Sequence, residues 1–207
     1  MSITTYNGSG LVAMKNEQCA IIVSDTRYGE SLLTMGTKAQ KIYQITSKCV
    51  VGLGGLITDC QTFSNKLKYE ARMYKLIHER ELSPKSVASV MQKLLYEKRF
   101  GPYFIDPLVA GVDDNGVTYI AGMDIIGSTE CPDHFVASGT SADMITGIAE
   151  SVAQHLEPDT PPKYVLEQAV EACRSGLNRD CIAGWGMRAC LITKEAMTWH
   201  DFEMRMD

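Results

Sequence analysis

Short apolar runs and helical stripes are segregated along this chain rather than alternating, and that order most restricts the folds open to it. Short apolar runs at 11–15 and 19–25 flank the polar turn Asn16-Glu17-Gln18, and further runs follow at 41–45 and 49–54. From Leu56 to Glu79 the period changes. Cys60, Phe63, Leu67, Ala71 and Tyr74 recur at three- and four-residue steps, which is one face of a helix. Ser83-Pro84 then supplies an N-cap and a first-turn proline, with Val87, Val90, Met91, Leu94 and Leu95 as the buried stripe and Gly101-Pro102 as the predicted end. Two helices joined by a short turn predict an antiparallel helical hairpin.

Strands return at 108–112 and 117–123 around Asp114-Asn115-Gly116, a hairpin signal, and again at 135–138. Helices are predicted over 140–155 and after Thr160-Pro161-Pro162, the second carrying Val165, Leu166, Ala169, Val170, Cys173 and Leu177 inward. Strands at 187–193 and 196–202 close the chain. Strands, two helices, strands, two helices, strands: this is not the rhythm of a doubly wound sheet. It predicts an α+β fold, a four-layer α-β-β-α sandwich of two antiparallel sheets flanked by helices. With 207 residues and no repeat or long linker, the chain reads as one domain over 1–207.

Composition removes several classes of function. The net charge is -5, and basic residues are interleaved with acidic ones, as in Lys93 to Arg99 around Glu97, so a nucleic-acid partner is not expected. No apolar run approaches the ~20 residues of a membrane span, and no secretory leader opens the chain, so membrane association is not expected and a cytoplasmic and nuclear location is. Seven cysteines without a Cys-x-x-Cys pair read as reduced, mostly buried thiols; neither metal nor cofactor is expected. Asn7-Gly8-Ser9 matches a glycosylation acceptor but should stay unmodified without a leader.

Gly52-Leu53-Gly54-Gly55 raises a nucleotide loop, yet Ile57 stands where the dinucleotide fingerprint needs glycine and no Gly-Lys-Ser/Thr follows. Close strand–helix packing is the favoured reading, with a Gly55 N–H aimed into a site as the second. His78, His134, His155 and His200 lie in unrelated contexts, and there is no Gly-x-Ser-x-Gly elbow. More informative is Gly8-Ser9-Gly10 ahead of the first strand, with Ser24-Asp25-Thr26-Arg27 ending the second and Gln40-Lys41-Ile42 opening a later one. A hydroxyl near the chain start, with a lysine and an aspartate, is the equipment of an N-terminal nucleophile hydrolase. There a free α-amine, of pKa roughly 7.7–8, accepts the proton of its own side chain.

These motifs, with Asp59, Ser138-Gly139-Thr140 and Arg179-Asp180, make the chain resemble the proteasome beta subunits. Its opening Met1-Ser2-Ile3 with Tyr6-Asn7-Gly8, the run from Leu94 to Tyr103 and the closing Arg205-Met206-Asp207 resemble one non-catalytic subtype of them. The resemblance implies the N-terminal nucleophile hydrolase fold. By position it puts Ser9 where active subunits carry the nucleophilic threonine, and Asp25 and Lys41 at its partners. It puts Gly55 at the oxyanion glycine, Ser138 and Asp180 at supporting positions, and Ala183 where a supporting serine stands in active subunits. It implies as partners other alpha and beta subunits in a stacked-ring hetero-oligomer, and a segment around Asp124 that faces a neighbour and helps shape its substrate pocket.

Two departures, Ser9 for threonine and Ala183 for serine, bear on activity. With residues 1–8 attached as an uncleaved extension, the Ser9 nitrogen is an amide whose lone pair is delocalised, so the hydroxyl has no base. The expectation is a non-catalytic structural subunit without its own nucleophile, in which Asp25 and Lys41 persist as an internal ion pair. The alternative is self-cleavage between Gly8 and Ser9 to give an active N-terminal-serine hydrolase.

Overall fold

Burial on both faces of the central strands explains the architecture. In the computed structural model, which describes residues 3–205, strand β1 (Gly10–Lys15) pairs antiparallel with β2 (Cys19–Asp25), in register Leu11 to Ser24. Leu11, Ala13, Ala20 and Ile22 face one core, whereas Val12, Met14, Ile21 and Val23 face another. Successive side chains of a strand point to opposite faces, so apolar runs without alternation mark strands covered on both sides. Each large aliphatic side chain so buried contributes about 1.5–3 kcal/mol.

After β2 come the short strands β3 (Tyr28–Glu30) and β4 (Leu33–Gly36), then β5 (Ile42–Thr46) and β6 (Cys49–Gly55). Helices α1 (Ile57–His78) and α2 (Pro84–Tyr96) follow, then β7 (Ile105–Val112), β8 (Thr118–Met123), β9 (Thr129–Glu130) and β10 (Phe135–Gly139). Helices α3 (Ala142–Ala153) and α4 (Pro162–Leu177) and strands β11 (Met187–Thr193) and β12 (Met197–Phe202) complete the described chain. One sheet runs β10-β1-β2-β11-β12, the other β5-β6-β7-β8-β9, and β3 pairs only with β4. Every strand pair is antiparallel.

Three apolar cores separate four layers. Phe63 and Leu67 of α1 and Met91 and Leu95 of α2 pack on Val51, Leu53 and Val109. Leu11, Ile22, Val50, Leu108 and Ile120 fill the space between the sheets. Ile145 of α3 and Val165, Ala169 and Cys173 of α4 cover Val12, Met14 and Val23. The predicted α-β-β-α sandwich is the fold observed.

Helix boundaries follow local chemistry. Ser83 Oγ accepts the Ser86 N–H at 3.2 Å, with Pro84 just inside, and α2 starts there as predicted. It ends at Tyr96 rather than at Gly101-Pro102, because residues 97–100 tighten into turns. α3 starts at Ala142, since Thr140 and Ser141 are drawn into polar contacts described below. β7 extends upstream to Ile105 through Pro107, which stands opposite Leu53 of β6 while Leu53 gives its N–H to Lys41, and which lies one residue before the β8 pairing begins at Leu108. The predicted hairpin of α1 and α2 brings its two helices together only briefly, whereas α3 lies along α4. The β3–β4 hairpin and β9 have no counterpart among the expected strands. Met1-Ser2 and Met206-Asp207, which contributed to the resemblance, lie outside the described residues.

Candidate functional site

Strand register gathers the polar residues at one end of the sandwich. Gly10 pairs with Gly139 and Asp25 with Met187, which puts the start of β1, the end of β2 and the start of β11 side by side. The end of β6 in the facing sheet arrives opposite them. Ser9, 1% exposed, sits at this junction, and its Oγ accepts the Gly55 N–H at 3.3 Å. Gly55 holds φ +101°, and a Cβ there would run into the backbone of Phe104. A Cβ on Gly54 would lie 2.8 Å from Ser9 Oγ, and one on Gly52 would press into Leu11 and Ile22. The glycine run therefore lets β6 approach the facing sheet, not a helix as the favoured sequence reading had it. The Gly55 N–H, the second reading's candidate donor, points at Ser9 Oγ.

Lys41 Nζ lies 2.7 and 2.8 Å from the two Asp25 oxygens and 2.9 Å from the Gly8 carbonyl oxygen. Asp25 Oδ1 also accepts the Gly10 N–H at 3.0 Å, and Oδ2 accepts those of Arg27 and Gly184, each at 3.2 Å. Both charges are buried, Asp25 at 0% and Lys41 at 3% exposure, so each is held by the other and by backbone dipoles.

Asp180 acts on Ser9 through an intermediary. The Ser9 N–H donates to Thr140 Oγ1 at 3.2 Å, and the Thr140 hydroxyl lies 3.0 Å from the Ser9 carbonyl and 2.7 Å from Asp180 Oδ2. One proton cannot serve both, and the shorter contact to the anion takes it. Ser141 donates to the same Asp180 oxygen at 2.6 Å, and the Ile182 N–H to the other at 2.9 Å. Ser138, expected to support the nucleophile, donates instead to the Asp106 carbonyl at 2.9 Å. Ala183 is buried beside Gly184 and brings no polar side chain to the cluster. Thus Ser9, Asp25, Lys41 and Gly55 converge, Asp180 joins at one remove, and Thr140, quoted only within the motif Ser138-Gly139-Thr140, and Ser141 have no site role in the sequence reading because they read as the start of a helix.

The segment before Ser9 belongs to the site as well. Tyr6 donates its hydroxyl to Glu30 at 2.6 Å, and its carbonyl accepts the Ser31 N–H at 2.8 Å. Asn7 is buried; its Nδ2 donates to the Gly29 carbonyl at 2.8 Å and its Oδ1 accepts the Ile57 N–H at 3.0 Å. Gly8 has φ +69°, and a side chain there would collide with the Ile182 carbonyl. Arg27, the largest fully buried side chain, ties these pieces together. It donates to the carbonyls of Ile182 at 2.7 Å, Ser31 at 3.0 Å and Asn7 at 3.4 Å, and to Thr34 Oγ1 at 2.9 Å.

Asp124 lies elsewhere, on the exposed turn after β8. Its Oδ1 accepts the N–H groups of Ile126 at 3.0 Å and Ser128 at 2.7 Å, so one oxygen shapes the turn. The residue lines a recess of about 460 Å³ with Asp106, Glu130 and Ser138. Burial, and secondarily the Asp124 charge, pushes the Asp106 carboxyl above its ordinary pKa.

Comparison with known proteins bears on this constellation. The sequence signature of the family described as "Proteasome subunit" matches residues 5–192. The chain is 40% identical over 207 residues to the proteasome subunit beta type-3 of Picea mariana, covering 100% of both chains. It is 36% identical over 208 residues to the Drosophila melanogaster proteasome subunit beta type-3, again over 100% of both. A probable proteasome subunit beta type-3 of Schizosaccharomyces pombe is 38% identical over 195 residues, 94% of each chain.

Proposed function

This chain belongs to the proteasome subunit family, and from that premise we propose that it is a beta type-3 subunit that builds the core particle without cleaving peptides itself. Its place is in a beta ring within a stacked-ring assembly of alpha and beta subunits. What supports the reading is the full-length likeness to beta type-3 subunits, together with a Ser9 whose nitrogen, for as long as Gly8 stays attached, is an amide that spends its N–H on Thr140. An amide nitrogen has no basicity to offer its own hydroxyl. Lys41 cannot substitute while its ammonium is held by Asp25 and the Gly8 carbonyl, since an ammonium has no lone pair with which to accept a proton. The Gly55 N–H, in turn, contacts Ser9 Oγ rather than a carbonyl oxygen awaiting attack.

Ser9→Ala is expected to leave every peptidase activity of the assembled particle unchanged. Measured on particles carrying only the variant, loss of one activity would overturn the proposal. Self-cleavage after Gly8 is distinguished by intact mass, since an active serine enzyme would yield a chain starting at Ser9.

The same reading assigns Asp124 a part in a neighbour's pocket. Its free carboxylate oxygen would add negative charge to a recess already holding Asp106 and Glu130. Asp124→Asn is expected to lower the particle's preference for basic over neutral substrate side chains. It should also let the Asp106 pKa fall toward its ordinary value. Unchanged selectivity in peptide assays would count against this role.

A further inference from the structure

Helix α1 has no cap of its own. Leu56 occupies its N-cap position without a side-chain hydrogen bond, and a leucine has none to give. The Ile57 N–H is met instead by Asn7 Oδ1, from a residue fifty positions earlier in the chain. The other half of the same amide holds the Gly29 carbonyl of β3. Asn7 thus joins three segments distant in sequence: the stretch before Ser9, the β3–β4 hairpin and the start of α1. Beside it lies a recess of about 760 Å³ walled by Tyr6, Asn7, Tyr28, Ala39, Tyr43 and Gln61.

The geometry points to Asn7 as a latch. We propose that its two-sided amide clamps residues 6–8 across the end of this recess and withholds the Gly8–Ser9 peptide from cleavage. The surroundings are shaped to it. Gly8 adopts a left-handed turn that lets the Ile182 carbonyl come close, and Gly29 lacks a side chain where a Cβ would strike the Arg27 guanidinium. Arg27 in turn reaches the Asn7 carbonyl. Asparagine presents a donor and an acceptor on one planar amide that does not ionise, whereas aspartate would set a carboxylate against the Gly29 carbonyl. The latch is independent of whether Ser9 is chemically competent, since it concerns access to the peptide bond before it.

The test uses the full chain with its co-purifying partners. In the unaltered protein, site-resolved hydrogen exchange should show the Ile57 and Ser31 amides protected together; exchange at the rate of free backbone would overturn the latch. Asn7→Ala should speed exchange at both amides, and added-protease clipping before Ser9, by about tenfold. No acceleration in a folded variant would refute the proposal. Tyr6→Phe removes only the exposed contact to Glu30 and should leave Ile57 protection intact. If it loosens Ile57 as much as Asn7→Ala does, the segment is held diffusely and Asn7 is no latch. Labelling of Ser9 by a hydroxyl-directed probe would refute the non-catalytic reading while leaving these exchange results to judge the latch alone.

Discussion

Asp25→Ala is expected to destabilise the chain by about 3–5 kcal/mol, toward the upper end of that range. The substitution strands the Lys41 ammonium at 3% exposure and leaves the N–H groups of Gly10, Arg27 and Gly184 without their acceptor. Lys41→Met should cost less, because Asp25 keeps those three backbone donors while losing its cation. For a domain of this size the alanine variant's Tm should fall by roughly 10–20 °C, at about 2–4 °C per kcal/mol. Thermal and denaturant unfolding of both variants check the order. Equal losses would mean that the backbone donors contribute nothing, contrary to the geometry.

Arg27→Ala should cost about 4 kcal/mol, for different reasons. It opens a cavity in place of the largest fully buried side chain, and it takes the donor from the carbonyls of Asn7, Ser31 and Ile182. Arg27→Lys should recover little, since a point ammonium cannot span the positions a planar fork reaches. Equilibrium unfolding measures the loss. A lysine variant of wild-type stability would show that charge alone, and not the fork, satisfies the site.

What was legible in the sequence follows from which forces act locally. The run Ala20-Ile21-Ile22-Val23 announced a strand covered on both faces, and the stripe from Cys60 to Tyr74 announced α1; both patterns are direct imprints of burial. The β3–β4 hairpin was not legible, because Leu32, Leu33 and Met35 are exposed and no core imposes alternation on them. Pro107 disguised the start of β7 for a similar reason: a strand tolerates it where the pairing needs no N–H.

The site divides in the same way. Ser9, Asp25, Lys41 and Gly55 could be matched by position, and the fold brings them within hydrogen-bonding distance. Ser138 was matched too, but its hydroxyl turns to the Asp106 carbonyl. Thr140 and Ser141 looked like helix, yet the Asp180 carboxylate holds them outside it. In the sequence Asn7 stands out as a glycosylation acceptor and as part of Tyr6-Asn7-Gly8, not as a structural contact. Its partners Gly29 and Ile57 are distant in sequence, and no local pattern connects them.

The double-sided burial of β1 and β2 has a consequence for how the sandwich finds its alignment. In most half-wet sheets a slip by one residue drives greasy side chains into solvent, and that penalty sets the alignment. Here a slip would trade Leu11 and Ala13 for Val12 and Met14, oil for oil on either side. Polarity inside the strands is indifferent to such an error. Asp25 is not: it meets the amides of Gly10 and Gly184 and the Lys41 head in the native alignment, so a buried ion pair serves as the index mark against which the strands are set.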